Sequence, residues 1–209
     1  MSNKILKQRT AIVTGGARGI GKAISENLAK EGCNVIIIDP GYTINGNHDE
    51  KNIAENIAED IRNKYNTETL AITKDVSNET DMQKSIETIM RKFNNIDIVV
   101  NNAAILRDGF VFKYSLEDWK KVIDINLTGA FNLINKTSKI MKEQSKKDNN
   151  YNHGRIINII STAGIWGNFG QAAYASAKSG LIGLTRVAAL DLQRSGITCN
   201  AIAPFASTR

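Results

Sequence analysis

Residues 10–21 read TAIVTGGARGIG: a short apolar run, a glycine-rich turn and the opening of a helix-length stretch. Thr10–Thr14 is β-branched and apolar, as a buried strand requires. Glycines at 15, 19 and 21 follow it with the spacing G-x-x-x-G-x-G. Glycine permits a tight turn and lets a pyrophosphate approach the backbone and the positive end of the next helix. Such a loop on its own is also a plain turn. The strand before it, and the helix after it that runs to about Lys30, are the context that favours phosphate binding.

Outward from this stretch the same rhythm repeats. Asn34–Ile38 is a second strand, buried on both faces, stopped by Asp39-Pro40-Gly41. Residues 41–50 form a polar loop rich in Gly and Asn. A helix over Lys51–Lys64 carries Ile53, Ile57 and Ile61 on one face. Leu70–Thr73 is the third strand, and Ser77 is placed to cap a helix reaching Phe93, with Met82, Ile86, Ile89 and Met90 inward. Ile96–Val100 is the fourth strand. One long helix is expected from Ser115, where Ser-Leu-Glu-Asp resembles a capping box, to about Lys142; residues 143–153 are a loop or frayed end. Arg155–Ile160, a helix over Ala172–Arg194 and a strand at Thr198–Ile202 complete the series. Strands alternating with helices imply an α/β fold, a Rossmann-type doubly wound parallel sheet with helices on both faces, in a single domain over residues 1–209. Ligands in such sheets bind at the carboxyl ends of the strands.

Bulk properties narrow the function classes. With 42% hydrophobic and 23% charged residues the chain reads as globular. No apolar run is long enough to span a bilayer, and Met1–Arg9 is polar with no apolar signal core, so a cytoplasmic location is expected. Cys33 and Cys199 sit in apolar segments without metal-ligand spacing and read as free thiols. A net charge of +6 is compatible with an anionic partner such as a phosphorylated cofactor or a thioester carrier. The densest basic stretch, Lys136–Lys147, reads equally as a solvated helix face. Basic residues do not interleave with aromatics and no nucleic-acid motif is present.

Asp39 ends the second strand, 18 positions after Gly21 (39 − 21). A carboxylate there accepts hydrogen bonds from an adenosine ribose and repels a 2′-phosphate, favouring NAD over NADP. Arg18 works against that preference, because its guanidinium suits a 2′-phosphate; the other reading of Asp39 is an Asp-Pro-Gly turn without a ligand. Asp75-Val76 follows the third strand and is placed to hold an adenine. Asn101-Asn102-Ala103-Ala104 follows the fourth, with side chains small enough for a cofactor to lie alongside.

Together Thr14–Gly21, Asp75, Asn101–Ala104, Asn126, Ser161 and Tyr174-Ala-Ser-Ala-Lys178, in this order from Thr10 to Pro204, resemble the short-chain dehydrogenase/reductase family. The resemblance implies a catalytic set of Asn126, Ser161, Tyr174 and Lys178. It implies a cofactor set of Gly15, Arg18, Gly19, Ile20, Gly21, Asp39, Asp75, Val76, Asn102, Ala103, Ala104, Tyr174, Lys178 and Pro204, and no metal. Tyr174 and Lys178 lie four apart on one helix face, and an ammonium beside a phenol is expected to lower the phenol pKa from near 10. Ser161 would bind the substrate oxygen, Lys178 would also hold the nicotinamide ribose, and Asn126 would place a water that relays protons from Lys178.

Within the family, Asn101–Asp108 and Gly164–Gln171 are similar to the (3R)-hydroxyacyl-CoA dehydrogenase domains of peroxisomal multifunctional enzymes type 2 and to related bacterial members, as is Ile202–Arg209. This implies a 3-hydroxyacyl thioester substrate. Gly167-Asn168-Phe169-Gly170-Gln171 is also similar to 3-oxoacyl-[acyl-carrier-protein] reductases. Trp166, Phe169 and Leu106 are expected along an acyl channel. Ala104 stands where the family has a glycine, and Phe205 replaces the common glycine after Pro204. Family members continue beyond the sixth strand with a substrate-covering segment and a seventh strand that supports oligomers. The expectation is therefore a chain truncated after the sixth strand, homo-oligomeric if full length. A non-catalytic dinucleotide-binding subunit is the alternative of another class; cofactor binding without turnover would distinguish it.

Overall fold

The structure, a computed structural model, describes residues 4–205. Met1–Asn3 of the polar start and Ala206–Arg209 of the last family-like segment lie outside the described residues. Six strands, β1 (Thr10–Thr14), β2 (Asn34–Ile38), β3 (Thr69–Ile72), β4 (Ile98–Asn101), β5 (Gly154–Ile159) and β6 (Ile197–Ile202), form one sheet in the order β3-β2-β1-β4-β5-β6. Every pairing is parallel. The chain leaves β1 toward one edge and returns at β4 toward the other. The carboxyl ends of β1 and β4 thus flank the crevice where such sheets bind ligands.

Alternation along the strands divides the core between two faces. Ala11 and Val13, with Val35 and Ile37, point to the face covered by helices α1 (Gly19–Lys30) and α2 (Ile53–Tyr65). Ile12, Ile36 and Val99 point the other way, against Met82 and Ile89 of α3 (Glu79–Phe93), and Leu133 and Met141 of α5 (Gly129–Lys147). Ala188 and Leu192 of α7 (Ala172–Leu192) extend that second core toward β6.

The expected elements are present, with most ends shifted by one or two residues, and four details differ. The cap of α3 is Asn78, whose side chain accepts from the Asp81 N–H, rather than Ser77. Ser77 is drawn away because both its hydroxyl and its N–H donate to Asp75 Oδ1. The single long helix after Ser115 is three pieces: α4 (Leu116–Ile123), a π-helical turn over Asp124–Thr128, and α5. Ser115 does cap α4, its Oγ accepting from the Asp118 N–H. α5 runs to Lys147, through part of the stretch read as loop, and α6 (Ala163–Trp166) is a short helix the sequence reading lacked.

Candidate active site

The carboxyl ends of the strands open into one cavity of about 640 Å³. At its centre is the glycine loop. Gly15 takes a positive φ of 59°, and a Cβ on Gly21 would stand 2.0 Å from the Gly15 carbonyl oxygen, so only glycine lets the loop fold back on α1. The first turn of α1 contains no acidic side chain, leaving its N-terminus open to an anion. Asn102 binds the loop from the β4 side, its Nδ2 donating to the carbonyls of Thr14 and Gly15, each at 3.0 Å. The Thr14 hydroxyl in turn accepts from the N–H groups of Asn102 and Ala103. This Thr14–Asn102 clasp was not read from sequence; a hydroxyl directly before the first glycine was its signal.

Asp39 closes one end of the cavity. Its carboxylate is buried and fixed, one oxygen accepting from the Ala17 N–H at 3.2 Å and the other from the Gly41 N–H at 2.9 Å. Asp75, expected at an adenine, already accepts from Ser77 and from the Tyr42 hydroxyl, with Lys121 at 3.7 Å. Those contacts hold the Asp75 carboxyl below its ordinary range despite the upward push of its burial, the largest single influence. The 41–50 loop is part of the wall: Tyr42, Thr43 and Ile44 line the cavity, and no sequence motif marks them.

At the opposite end stand Ser161, just past β5, and Tyr174 and Lys178 on one face of α7; all three line the same cavity. Tyr174 lies near enough to Ser161 for that hydroxyl to pull the phenol pKa down. Lys178 is fully buried, and its ammonium donates to the Ile159 carbonyl at 2.6 Å while lying 5.7 Å from the Tyr174 ring centroid. Burial alone pulls its pKa down to about 8.

Of the expected cofactor set, Gly15, Arg18, Gly19, Ile20, Asp39, Asp75, Val76, Asn102, Ala103, Ala104, Tyr174, Lys178 and Pro204 all line the cavity. Gly21 is not in its wall and acts from behind the loop. A dinucleotide suits this donor set: bare backbone at a helix N-terminus in the middle, a buried carboxylate at one end, and a phenol and an ammonium at the other.

One expectation needs correction, and four further residues named from the sequence stand outside the cavity wall. The Tyr174 phenol is raised above its ordinary value, not lowered: burial pushes it up, the nearby Ser161 hydroxyl recovers part of that, and the Asp108 carboxylate pushes it up again. Lys178 does not offset this because its ammonium is turned to Ile159. Asn126 lies outside the cavity wall, buried, with its amide committed to one residue: Oδ1 accepts from the Ile105 N–H at 2.8 Å and Nδ2 donates to the Ile105 carbonyl at 2.9 Å. Leu106, Trp166 and Phe169 do not line the cavity either; Trp166 and Phe169 are exposed. Phe169 instead meets Phe110 edge-on at 5.1 Å, and Phe110 stacks on Phe112.

Comparison with known proteins gives one consistent result. The family model described as short chain dehydrogenase matches residues 9–208. A 3-oxoacyl-[acyl-carrier-protein] reductase of Synechocystis sp. is 41% identical over 199 residues, which is 95% of this chain and 74% of that protein. Peroxisomal multifunctional enzyme type 2 of Drosophila melanogaster is 39% identical over 201 residues, 96% of this chain and 32% of that longer protein. Among solved structures, NAD+-bound xylitol dehydrogenase superposes with a TM-score of 0.85 at 31% identity, covering 96% of this chain and 71% of that one.

Proposed function

The chain belongs to the short-chain dehydrogenase family, and from that premise we propose that it interconverts a secondary alcohol and a ketone on a 3-hydroxyacyl or 3-oxoacyl thioester, with NAD as the preferred dinucleotide. The observation that carries the reading is the sharing of one cavity by Tyr174, Ser161 and Lys178 at one end and the glycine loop and Asp39 at the other. The thioester class rests on the reductase relative and on the family-like segments Asn101–Asp108 and Gly164–Gln171. The choice of NAD rests on Asp39, whose fixed carboxylate suits two ribose hydroxyls and repels a phosphate. Two buried free thiols suit a reducing, cytoplasmic setting.

A nicotinamide dinucleotide supplies hydride transfer when bound. The chain's own residues manage the oxygen and its proton. Ser161 and Tyr174 hold the substrate oxygen between their hydroxyls. In reduction the Tyr174 phenol donates its proton to that oxygen; in oxidation the phenolate takes the proton back. Lys178 supplies positive charge to the cavity wall, its ammonium turned to the Ile159 carbonyl rather than to the phenol. Asn126 holds the Ile105 segment that forms part of the wall.

The test is Tyr174→Phe, assayed with acetoacetyl-CoA and with NADH fluorescence. Turnover should fall by about 10²–10⁴-fold, the usual worth of a positioned acid, while NADH binding stays within about a few fold. Turnover near the parent's would remove Tyr174 from the chemistry. Binding of NADH by a parent that turns over neither the CoA nor the carrier-protein thioester would instead favour a different alcohol.

A further inference from the structure

The 41–50 insert is a strap with built anchors. Thr43 and Asn47 close its tip, the Thr43 N–H donating to the Asn47 carbonyl at 2.7 Å. The outgoing leg is tied to the segment after β4: the Leu106 N–H donates to the Ile44 carbonyl at 2.7 Å, and Arg107 Nε to the Asn45 carbonyl at 2.9 Å. On the return leg the N–H groups of Asp49 and Glu50 both donate to the Gly41 carbonyl, which sets their side chains over the glycine loop. There they meet Arg18. One guanidinium nitrogen donates to the Tyr42 carbonyl at 3.0 Å; the other lies 3.1 Å from Glu50 and 3.8 Å from Asp49.

We propose that the strap carboxylates Glu50 and Asp49 are determinants of cofactor specificity, holding the Arg18 guanidinium so that it is withheld from a 2′-phosphate. The proposal rests on the dinucleotide reading above and adds residues outside the glycine loop and the β2 terminus. Arg18 and Asp39 line the same end of the cavity. A 2′-phosphate brought there adds about two negative charges next to the Asp39 carboxylate and needs a cation in return. Arg18 has the fork geometry for that task. In the strapped arrangement, however, its single charge faces two carboxylates, Asp49 and Glu50, a local balance of 1 − 2 = −1. Lys121, whose ammonium lies over the Tyr42 ring, is directed at Asp75. NAD, with only ribose hydroxyls to offer, leaves the clamp undisturbed; NADP must break it.

The clamp is exposed, so its hold is modest and its removal should show as about a three- to tenfold effect. Kd values for NADH and NADPH are to be measured by fluorescence titration on the parent chain, on Asp49→Asn/Glu50→Gln, and on that pair combined with Arg18→Ala. The expected result is a shift of the NADPH/NADH preference toward NADPH by that factor in the double variant, with the NADH Kd within about twofold of the parent. Addition of Arg18→Ala should abolish the gain. Glu50→Gln alone should give part of the shift. An unchanged ratio in a variant that still binds NADH, or a gain that survives Arg18→Ala, overturns the proposal while leaving the dinucleotide reading standing. A parent that binds neither dinucleotide overturns both.

Discussion

Lys178 shows what the site costs the fold. A fully buried ammonium with one carbonyl partner is held at a pKa of about 8, against 10.5 in an ordinary lysine. Because the folded pKa is the lower one, the unfolded chain binds the proton more tightly. Stability attributable to this residue therefore rises as pH climbs from about 8 toward 10.5, and the penalty is present in full below that window. Lys178→Met, close in volume, should abolish turnover yet raise stability by about 1–3 kcal/mol at pH 7, as removal of a poorly compensated buried charge does. Urea denaturation would check it; a loss of stability would mean that the Ile159 contact outweighs the desolvation. The same value predicts that ketone reduction falls as pH rises through about 8, since Lys178 loses its charge there while Tyr174 is still protonated. A flat rate between pH 7 and 9 would count against that assignment. Tyr174 and Lys178 were legible through the family resemblance, and their spacing of four put them on one helix face. The direction of the Tyr174 shift was not, because burial and the reach of the Asp108 charge are properties of the assembled cavity.

Elements were read well where the signal is local and poorly where a distant partner intervenes. Six strands and the main helices follow from β-branched runs, apolar periodicity and punctuation by Gly, Asn and Asp. The break in the long helix did not, because its cause lies 21 positions away in the sequence. Asn126 reaches from the π turn to both backbone groups of the buried residue Ile105. Ser77 failed as a cap for a related reason: Asp75 engages it first. Asn126→Leu would leave the Ile105 N–H and carbonyl buried and unpaired. It should cost about 2–6 kcal/mol of stability, at about 1–3 kcal/mol per orphaned group, and it should weaken NADH binding by loosening the wall that Ile105 forms. A variant within about 0.5 kcal/mol of the parent would show that the π turn holds without this clasp.

At the scale of the whole molecule the two ends of the sheet do different work. The carboxyl end carries the cavity. The amino end carries a second polar cluster centred on Asp97, whose carboxylate is 1% exposed between β1 and β4. One of its oxygens accepts from the Thr10 N–H at 2.9 Å and from Asn95 at 2.7 Å; the other lies 3.3 Å from His153 Nε2 and 3.5 Å from Arg9. Burial, then the nearby Arg9, hold the His153 imidazole below its ordinary value of 6.5, so at neutral pH it meets Asp97 as a neutral ring rather than as a cation. A strand of five residues spans roughly 16 Å, which keeps this cluster clear of the cavity. Asp97→Ala should therefore separate the two ends. It orphans the buried Thr10 N–H and strips Arg9 of its partner, for a loss of about 3–5 kcal/mol, yet the fraction that remains folded should bind NADH with a Kd within about twofold of the parent. Tyr174→Phe should do the reverse, abolishing turnover with the melting temperature nearly unchanged. A drop in NADH affinity for Asp97→Ala under conditions where it is fully folded would mean that strain crosses the sheet, and that β1 transmits the position of its amino end to the glycine loop.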